Sequence, residues 1–562
     1  MTNLINDAKA QVRELIMKAL GECVAEEIFP AAPIPSFNVE IPADFKNGDL
    51  STNAAMVCAR AFRTAPQKIA QAISDRIFLT GSYFEKCECA GPGFINFYYS
   101  PDWYATVINN VSSEAEKYGE TDMGAGKSAL IEFVSANPTG PMHIGNARGG
   151  AIGDCLAAVM AKAGYDVKRE FYVNDAGNQI EKFKNSLETR YLQLFDPSIQ
   201  MPEDAYLGED IITHAKAFAD IHGDKYVNTD SEERRSAMCE FALPKNIQKL
   251  KDDLAAYRIS YDRWFHESEL HADGSVADII EKLKASGYTY EQEGALWFRS
   301  SELGDEKDRV LVRANGVPTY FVPDIAYHYN KLAVRNFDKA VDIFGADHHG
   351  YIPRMKAAMT ALGIDPNKLD IVIMQMVNLV RNGEKYKLSK RSGKAITLST
   401  LLEEIPIDAA RFFFNLREPN SHFDFDLDLA VEQSSQNPVY YVQYAHARIC
   451  SVISKLAAEG IEVKPFAAEY AAEFRTAEET ELIKALAQMP DAVNESVKNY
   501  DPARMTRYVL DVATMYHKFY TACHIIGEEE SLMQARIALS LAAKQVIENV
   551  LDMLKIDAPE SM

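Results

Sequence analysis

The stretch from Ser128 to Val173, SALIEFVSANPTGPMHIGNARGGAIGDCLAAVMAKAGYDVKREFYV, decides the fold. Ala129 to Val134 is short, apolar and β-prone, as a buried strand is. ANPTGPMHIGNARGG, crowded with Gly and Pro, follows as a turn. A helix is predicted from near Asn146, because Ile152, Cys155, Leu156, Val159, Met160 and Ala163 recur at helical spacing. Gly164 stops it, and Val167 to Val173 reads as the next strand. Strand, helix, strand predicts a right-handed crossover in a doubly wound parallel sheet.

Outward from this unit the chain changes character three times. Residues 1–115 read as an N-terminal α+β module: a helical stripe (Val12, Leu15, Ile16, Leu20), a Pro-rich loop, and the alternating segment GPGFINFYYS. Residues 116–400 read as the α/β domain, Rossmann-like, with a more polar, largely helical insertion at about 190–300. Its sheet is expected to resume with RVLVRANGVPTYFV, DKAVDIFGAD and LDIVIMQMVNLV. Residues 401–562 are nearly all amphipathic helix and predict an all-α bundle.

The totals set bounds. A chain of 562 residues is too long for one core. No apolar run reaches the roughly 18 residues of a membrane span. The start, MTNLINDAKAQVRELIMKAL, lacks the basic and unbroken apolar segments of a signal peptide, so a cytoplasmic protein is expected. Of eight cysteines only Cys87 and Cys89 are close, and C-x-C is no zinc spacing, so neither a structural metal nor a disulfide is expected. Net charge is −22, which opposes long-range attraction of a nucleic acid. A basic face on an acidic body is the way such a partner is met.

Two motifs carry chemistry. His143-Ile144-Gly145-Asn146 stands at the strand-to-helix junction, and Lys387-Leu388-Ser389-Lys390-Arg391 lies between Gly383 and Gly393. Taken singly, the first reads as a turn before a helix and the second as a solvated basic loop. Together, in this order and context, they resemble the paired HIGH and KMSKS signatures of the class I aminoacyl-tRNA synthetases. Asn146 departs from the pattern, as do Leu388 and Arg391. The physics suits attack of a carboxylate on the α-phosphorus of ATP. A helix N-terminus favours phosphate, His143 donates to phosphate oxygen, and Gly145 leaves room for a nucleotide. Lys387, Ser389 and Lys390 are placed to meet the departing pyrophosphate. His143, Asn146, Lys387, Ser389 and Lys390 are thus the expected catalytic set, with Gly145 beside them in ATP binding. The substrate is ATP with Mg2+.

The wider match is to the arginyl-tRNA synthetases of bacterial type. EFVSANPTGPMHIGNARGG (132–150), GDLSTN, GPGFINF, PTYFVPDIAYH, GADHHGYIPRMKAA and the ending APESM resemble that family over nearly the whole chain. The resemblance implies arginine–tRNA ligation, with ATP, L-arginine and tRNA(Arg) as partners, no membrane, and a monomer. It also implies that tRNA binds before activation. Tyr320, Asp324 and Glu267 match residues that hold the guanidinium, which wants carboxylates. Ser135 and Asn137 match those at the α-amino and carboxylate end, with Glu132, Asp347 and His348 as further arginine contacts. Without the resemblance, Asp324 reads better as a helix N-cap before Ile325. For tRNA, the family implies Asn53, Phe94 and Asn96 in the N-terminal module. In the bundle, Tyr440, Tyr441, Tyr444, His446 and Arg448 suit stacking and pairing with unstacked bases; at least half of those tyrosines are expected in the core.

Other readings fit these residues less well. Asp347-His348-His349 is too tight a run to chelate one ion. GAGKS (124–128) imitates a P-loop, but Thr121 replaces its first Gly and it precedes the strand. A cysteinyl-type synthetase needs a zinc site that this spacing lacks. A noncatalytic RNA-binding relative would lack the signature lysines. A small-metabolite nucleotidylyltransferase has no evident use for the two outer domains.

Overall fold

The computed structural model describes residues 3–386 and 396–562. The N-terminal helix Leu4–Ala25 buries Ile5, Ala8, Val12, Ile16, Ala19 and Cys23, one stripe at helical spacing. It packs with two short helices, Ala54–Phe62 and Pro66–Ser74, against a four-stranded antiparallel sheet. The order of that sheet is Val39–Glu40, Leu50–Thr52, Phe94–Tyr99, Phe84–Ala90.

The central sheet has five strands: β1 (Ser128–Glu132), β2 (Asp166–Val173), β3 (Arg263–His266), β4 (Lys339–Gly345) and β5 (Leu369–Met374). All neighbours are parallel, in the order β5-β4-β1-β2-β3. β1 is buried along almost its whole length, as a strand covered on both faces must be. The order reverses between β1 and β4, and in such sheets the crevice at that switch point is where ligands sit. The helix Ile144–Lys162 connects β1 to β2 and lies close against the loop after β1. A Cβ on Gly153 would fall 2.2 Å from Phe133 Cγ, so only glycine permits the approach.

The structure corrects one expectation, on the sheet. The 190–300 stretch combines helices with short strands. Its helices (Gly177–Leu192, Glu209–His222, Ser231–Ala256) gather around their own core of Phe183, Leu187, Tyr191, Phe218 and Met238, and β3 then returns to the central sheet. RVLV does not extend that sheet. Arg309–Val312 pairs antiparallel with Ala295–Phe298, which pairs with Thr289–Gln292. A short apolar strand takes the local antiparallel neighbour when one is available. The rest of that segment is the helix Phe321–Tyr329, continued by a π-helical turn, Asn330–Val334.

A small three-stranded sheet follows. Val377–Arg381 pairs with Glu384–Lys385 and, in parallel, with Phe423–Asp426. The C-terminal bundle is built on Pro438–Ala458, Ala477–Ala487, Met489–Asn499, Ala503–Ala522 and Glu530–Leu554. One hydrophobic core runs from the N-terminal module through the central sheet into this bundle. Polar contacts reinforce it: Lys484 meets Asp49 at 2.7 Å, and Asn549 donates to Ala115 O at 2.9 Å. Arg411, fully buried, donates to Leu554 O (2.6 Å), Tyr257 O (3.0 Å) and Asp154 (2.6 Å), joining three distant parts of the chain. Among the described residues no helix is long and apolar enough to cross a membrane.

Replacing Gly153 with Ala forces Phe133 or the helix to shift. Overpacking of this kind costs roughly 1–3 kcal/mol. A lower denaturant midpoint for Gly153→Ala is the expected reading, and an unchanged midpoint would show that the contact relaxes freely.

Candidate active site

His143 is the N-cap of the helix Ile144–Lys162, and its ring folds back onto the first turn. Its Nδ1 accepts the Gly145 N–H at 3.1 Å, while Asn146 Oδ1 accepts the His143 N–H at 3.0 Å. This reciprocal pair is a capping box, with a histidine and an asparagine in the usual roles. It settles the tautomer. Nδ1 is an acceptor, so the neutral ring carries its proton on Nε2, available to a phosphate oxygen. Crowding by neighbouring groups lowers the pKa of His143 below the usual imidazole value, although its outer edge is exposed. Asn146 therefore closes the cap. Gly145 is needed first for the histidine: a Cβ there would lie 3.0 Å from His143 Cε1.

The second signature enters through its flanks. Lys387, Ser389 and Lys390 lie outside the described residues. Beyond them, Leu398 N donates to Met142 O (2.9 Å) and Ile144 N donates to Ile396 O (3.1 Å). Before them, Tyr386 N donates to Leu379 O. The chain thus leaves the second motif and pairs at once with the residues around His143.

Beneath the crevice lies a buried charge network. Glu132 ends β1 and Asp342 is its register partner on β4. Lys331, in the π-helical turn, reaches Glu132 at 2.5 Å and Asp342 at 2.7 Å. His328 places its two ring nitrogens 2.7 Å from the Asp324 carbonyl and 2.7 Å from Asp342. Burial pushes the Asp342 carboxyl up, but Lys331 and His328 outweigh it and hold it down to about 2. Burial raises Glu132, offset only in part by Lys331. Glu132 is 3% exposed and also accepts from Ser135 Oγ at 2.8 Å. What it offers a ligand is a fixed Ser135. The Ser135 hydroxyl also accepts from Tyr172 N, leaving one lone pair for an ammonium group. Val134 and Ser135 have φ of 69° and 41°, left-handed values that a β-branched valine adopts only under strain.

The layer above this network carries surplus negative charge. Asp324 sits inside the helix Phe321–Tyr329, so the N-cap reading fails; Tyr320 holds that position. Burial pushes the Asp324 carboxyl up to about 6, against the lowering effects of His328 and the Tyr351 hydroxyl. Glu267, buried at the end of β3, has His271 at 3.5 Å. Among the described residues no lysine or arginine pairs with either carboxylate. Beside them a cavity of about 590 Å³ is lined by Glu267, His271, Arg313, Tyr320 and Pro323. Tyr320 is half exposed at its mouth. Asn137, Asp347 and His348 are exposed in the loops after β1 and β4. The His348 ring lies 5.3 Å from Phe344.

Sequence reasoning missed Lys331, His328, Asp342 and Tyr172. The Tyr172 hydroxyl is buried without a hydrogen-bond partner, close enough to Glu267 and Asp324 that both raise its pKa beyond what burial does. Spacing gave no signal for these residues, because each lies on a different element. At the outer sites the structure sorts the candidates. Asn96 is buried and accepts from Ser51 Oγ (2.7 Å), which turns it away from any partner. Asn53 accepts from Asn38 N, and Phe94 is half-buried. His446 is buried between Pro559 O and Glu548, so it serves the bundle and does not face a base. Tyr440 and Tyr441 are partly buried and Tyr444 is exposed, so none of the three is fully in the core. Arg448 stacks between Tyr444 (4.6 Å) and Tyr520 (4.7 Å).

A doubly wound parallel sheet, with a capped helix start at its switch point, is the fold of the class I aminoacyl-tRNA synthetases. The family model "tRNA synthetases class I (R), catalytic domain" matches residues 107–449. The arginyl-tRNA synthetase N-terminal domain matches 10–99, and the DALR anticodon-binding domain matches 442–562. The arginine–tRNA ligases of Caldanaerobacter subterraneus subsp. tengcongensis and Ruminiclostridium cellulolyticum are each 51% identical to this chain, over 100% of both sequences. The Thermus thermophilus arginyl-tRNA synthetase structure shares the fold, with a TM-score of 0.73 at 21% identity over 99% of this chain and 100% of that one. The chain belongs to the arginyl-tRNA synthetase family.

Asp324 gives a pH test. A guanidinium needs the carboxylate, so arginine affinity should fall as pH drops through about 6. Asp324→Asn should lose arginine affinity roughly a hundredfold and flatten that dependence. Because the folded pKa is raised, the group contributes stability only at low pH and loses it as pH rises through about 6. The Asn variant without arginine should therefore melt no lower than the parent at pH 7.5. Calorimetry and thermal scans across pH 5 to 8 check both, and a lower melting point would show that Asp324 holds the fold.

Proposed function

We propose that this chain joins L-arginine to the 3′ end of tRNA(Arg) in two steps, as a cytoplasmic monomer acting on MgATP. The observation that carries the reading is the pair of buried carboxylates, Asp324 and Glu267, which have no lysine or arginine partner among the described residues, in a sheet whose first crossover helix starts with a cap. A guanidinium neutralises that surplus, and the helix start receives phosphate.

In the first step an arginine carboxylate oxygen attacks the α-phosphorus, and the bond to pyrophosphate breaks. Asp324, Glu267 and Tyr320 hold the guanidinium. Ser135 and Asn137 hold the α-amino and carboxylate end, over Glu132, with Asp347 and His348 as outer contacts. His143 Nε2–H donates to phosphate oxygen, Gly145 and Asn146 keep its ring in place, and Lys387, Ser389 and Lys390 stabilise the leaving pyrophosphate. In the second step the terminal ribose hydroxyl of the tRNA attacks the adenylate carbonyl, and AMP leaves. On this reading residues 1–115 contact the tRNA body through Asn53 and Phe94, 116–400 carry the chemistry, and 401–562 read the anticodon with Tyr444 and Arg448. The stacked, half-exposed Arg448 supports the last assignment, since such platforms receive unstacked bases.

Amino-acid-dependent ATP–pyrophosphate exchange, run with all twenty amino acids and with or without tRNA, is the direct test. Exchange with arginine alone, and only when tRNA is present, is expected. Exchange with another amino acid would overturn the pocket. His143→Ala should slow the exchange roughly 100- to 1,000-fold. Arg448→Ala should raise KM for tRNA about tenfold or more and leave KM for arginine unmoved. An unaltered KM for tRNA would remove Arg448 from the interface.

A further inference from the structure

Near its start the signature helix carries a charged side chain, Arg148, that has no part in the proposed chemistry. Arg148 stands just over a turn past the His143 cap, on the face that buries Ile152 and Cys155, and is itself fully buried. An arginine at such depth ordinarily meets a carboxylate. Arg148 meets backbone instead. Its Nη1 donates to Gln375 O (2.7 Å) and Ser421 O (3.1 Å), and its Nη2 donates to Glu418 O (3.1 Å). The Phe423 ring lies 6.0 Å away, and Nε has no acceptor. Among the described residues no carboxylate pairs with it. Burial pulls its pKa down to about 10, so it remains charged at neutral pH.

The three carbonyls belong to one structural unit. Gln375 lies between β5 and the strand Val377–Arg381. Glu418 and Ser421 lie in the turn before Phe423–Asp426, and Gln375 N closes that turn on Pro419 O at 2.9 Å. The two strands are parallel partners, Val377 opposite Phe423. Val377–Arg381 pairs with Glu384–Lys385, and in the sequence Lys387 comes two residues after Lys385. One guanidinium thus fastens the first turns of the His143 helix to this strand pair. An uncompensated buried cation is a poor way to stabilise a fold, because an apolar side chain of similar size often does better. What the planar fork supplies is geometry: three bonds in fixed directions.

We propose that Arg148 is a positioning residue for the nucleotide, fixing the His143 helix start against the strand pair Val377–Arg381 and Phe423–Asp426 so that the helix start meets the triphosphate at a set place. This rests on the assignment of His143 to the nucleotide side of the site.

The test separates ATP from arginine. Arg148→Lys keeps the charge and loses the fork; Arg148→Met keeps the bulk and loses the charge. Exchange is measured with tRNA present, varying ATP and arginine separately, per titrated active site and alongside the thermal midpoint. In Arg148→Lys, KM for ATP should rise and kcat should fall, each roughly tenfold, with KM for arginine within about twofold. Arg148→Met should be worse on the same two parameters. Unchanged ATP parameters, or KM for arginine rising in step with KM for ATP, would make Arg148 a packing residue and overturn the proposal. His143→Ala run in parallel isolates the underlying assignment: no effect on ATP use there would sink the nucleotide site itself. Should the Met variant fail to fold, hydrogen exchange on the unmodified protein decides. MgATP should slow exchange at 143–149 and, with it, at Gln375 and 418–423. Protection confined to 143–149 would overturn the coupling.

Discussion

Glu132 and Asp342 stand side by side on neighbouring strands in the driest part of the sheet. Two carboxylates so placed cannot both stay ionised unless a cation joins them. Lys331 is that cation, and the π-helical turn puts its ammonium between them. Such turns inside helices recur at functional sites. His328 completes the set, 2.7 Å from Asp342. The network satisfies its own groups and leaves the next layer free to be unbalanced. Asp324 and Glu267 then stand without a lysine or arginine partner among the described residues, and the guanidinium proposed to bind there would supply one. The network also fixes register, because a one-residue slip of β1 against β4 would turn Glu132 to the opposite face of the sheet, away from Lys331.

Around this centre the protein repeatedly accepts local cost. Val134 and Ser135 hold left-handed backbone, each worth roughly 1–3 kcal/mol of strain. Among the described residues the buried Tyr172 hydroxyl has no hydrogen-bond partner and the buried Arg148 has no counter-ion. These features cluster on the loop after β1, the start of its helix and the strands beside them. The outer parts of the chain, by contrast, pack as ordinary apolar stripes such as that of Leu4–Ala25.

The sequence made the central crossover legible because its signals are local: a short β-prone run, a Gly/Pro turn, then apolar residues at helical spacing. The His143 motif was legible for the same reason, though its asparagine was not. Asn146 looks like a departure from a pattern until the cap is seen, and then its amide oxygen has a specific job. The proposed pocket rests on resemblance. Glu132, Glu267 and Asp324 come from three separate segments, and nothing in spacing brings them together. Lys331 and Arg148 were invisible because a lone cation in a helix normally reads as solvated surface. RVLV misled because a short apolar strand does not say which sheet it joins, and His446 misled because its partners, Glu548 and Pro559, lie a hundred residues on.

The apolar core that runs unbroken from the N-terminal module to the last helix makes the protein a caliper. Its jaws are not joined by linkers. Arg411 rivets the end of the last helix to Asp154 on the helix that His143 caps, and Lys484 ties the bundle to the N-terminal module. The span between the stacked Arg448 platform and the sheet crevice is therefore set by packing, to within the small give of a close-packed interior. On the proposed reading a polymer substrate must bring its own two ends to that gauge, so that its length and shape are judged before any base is read.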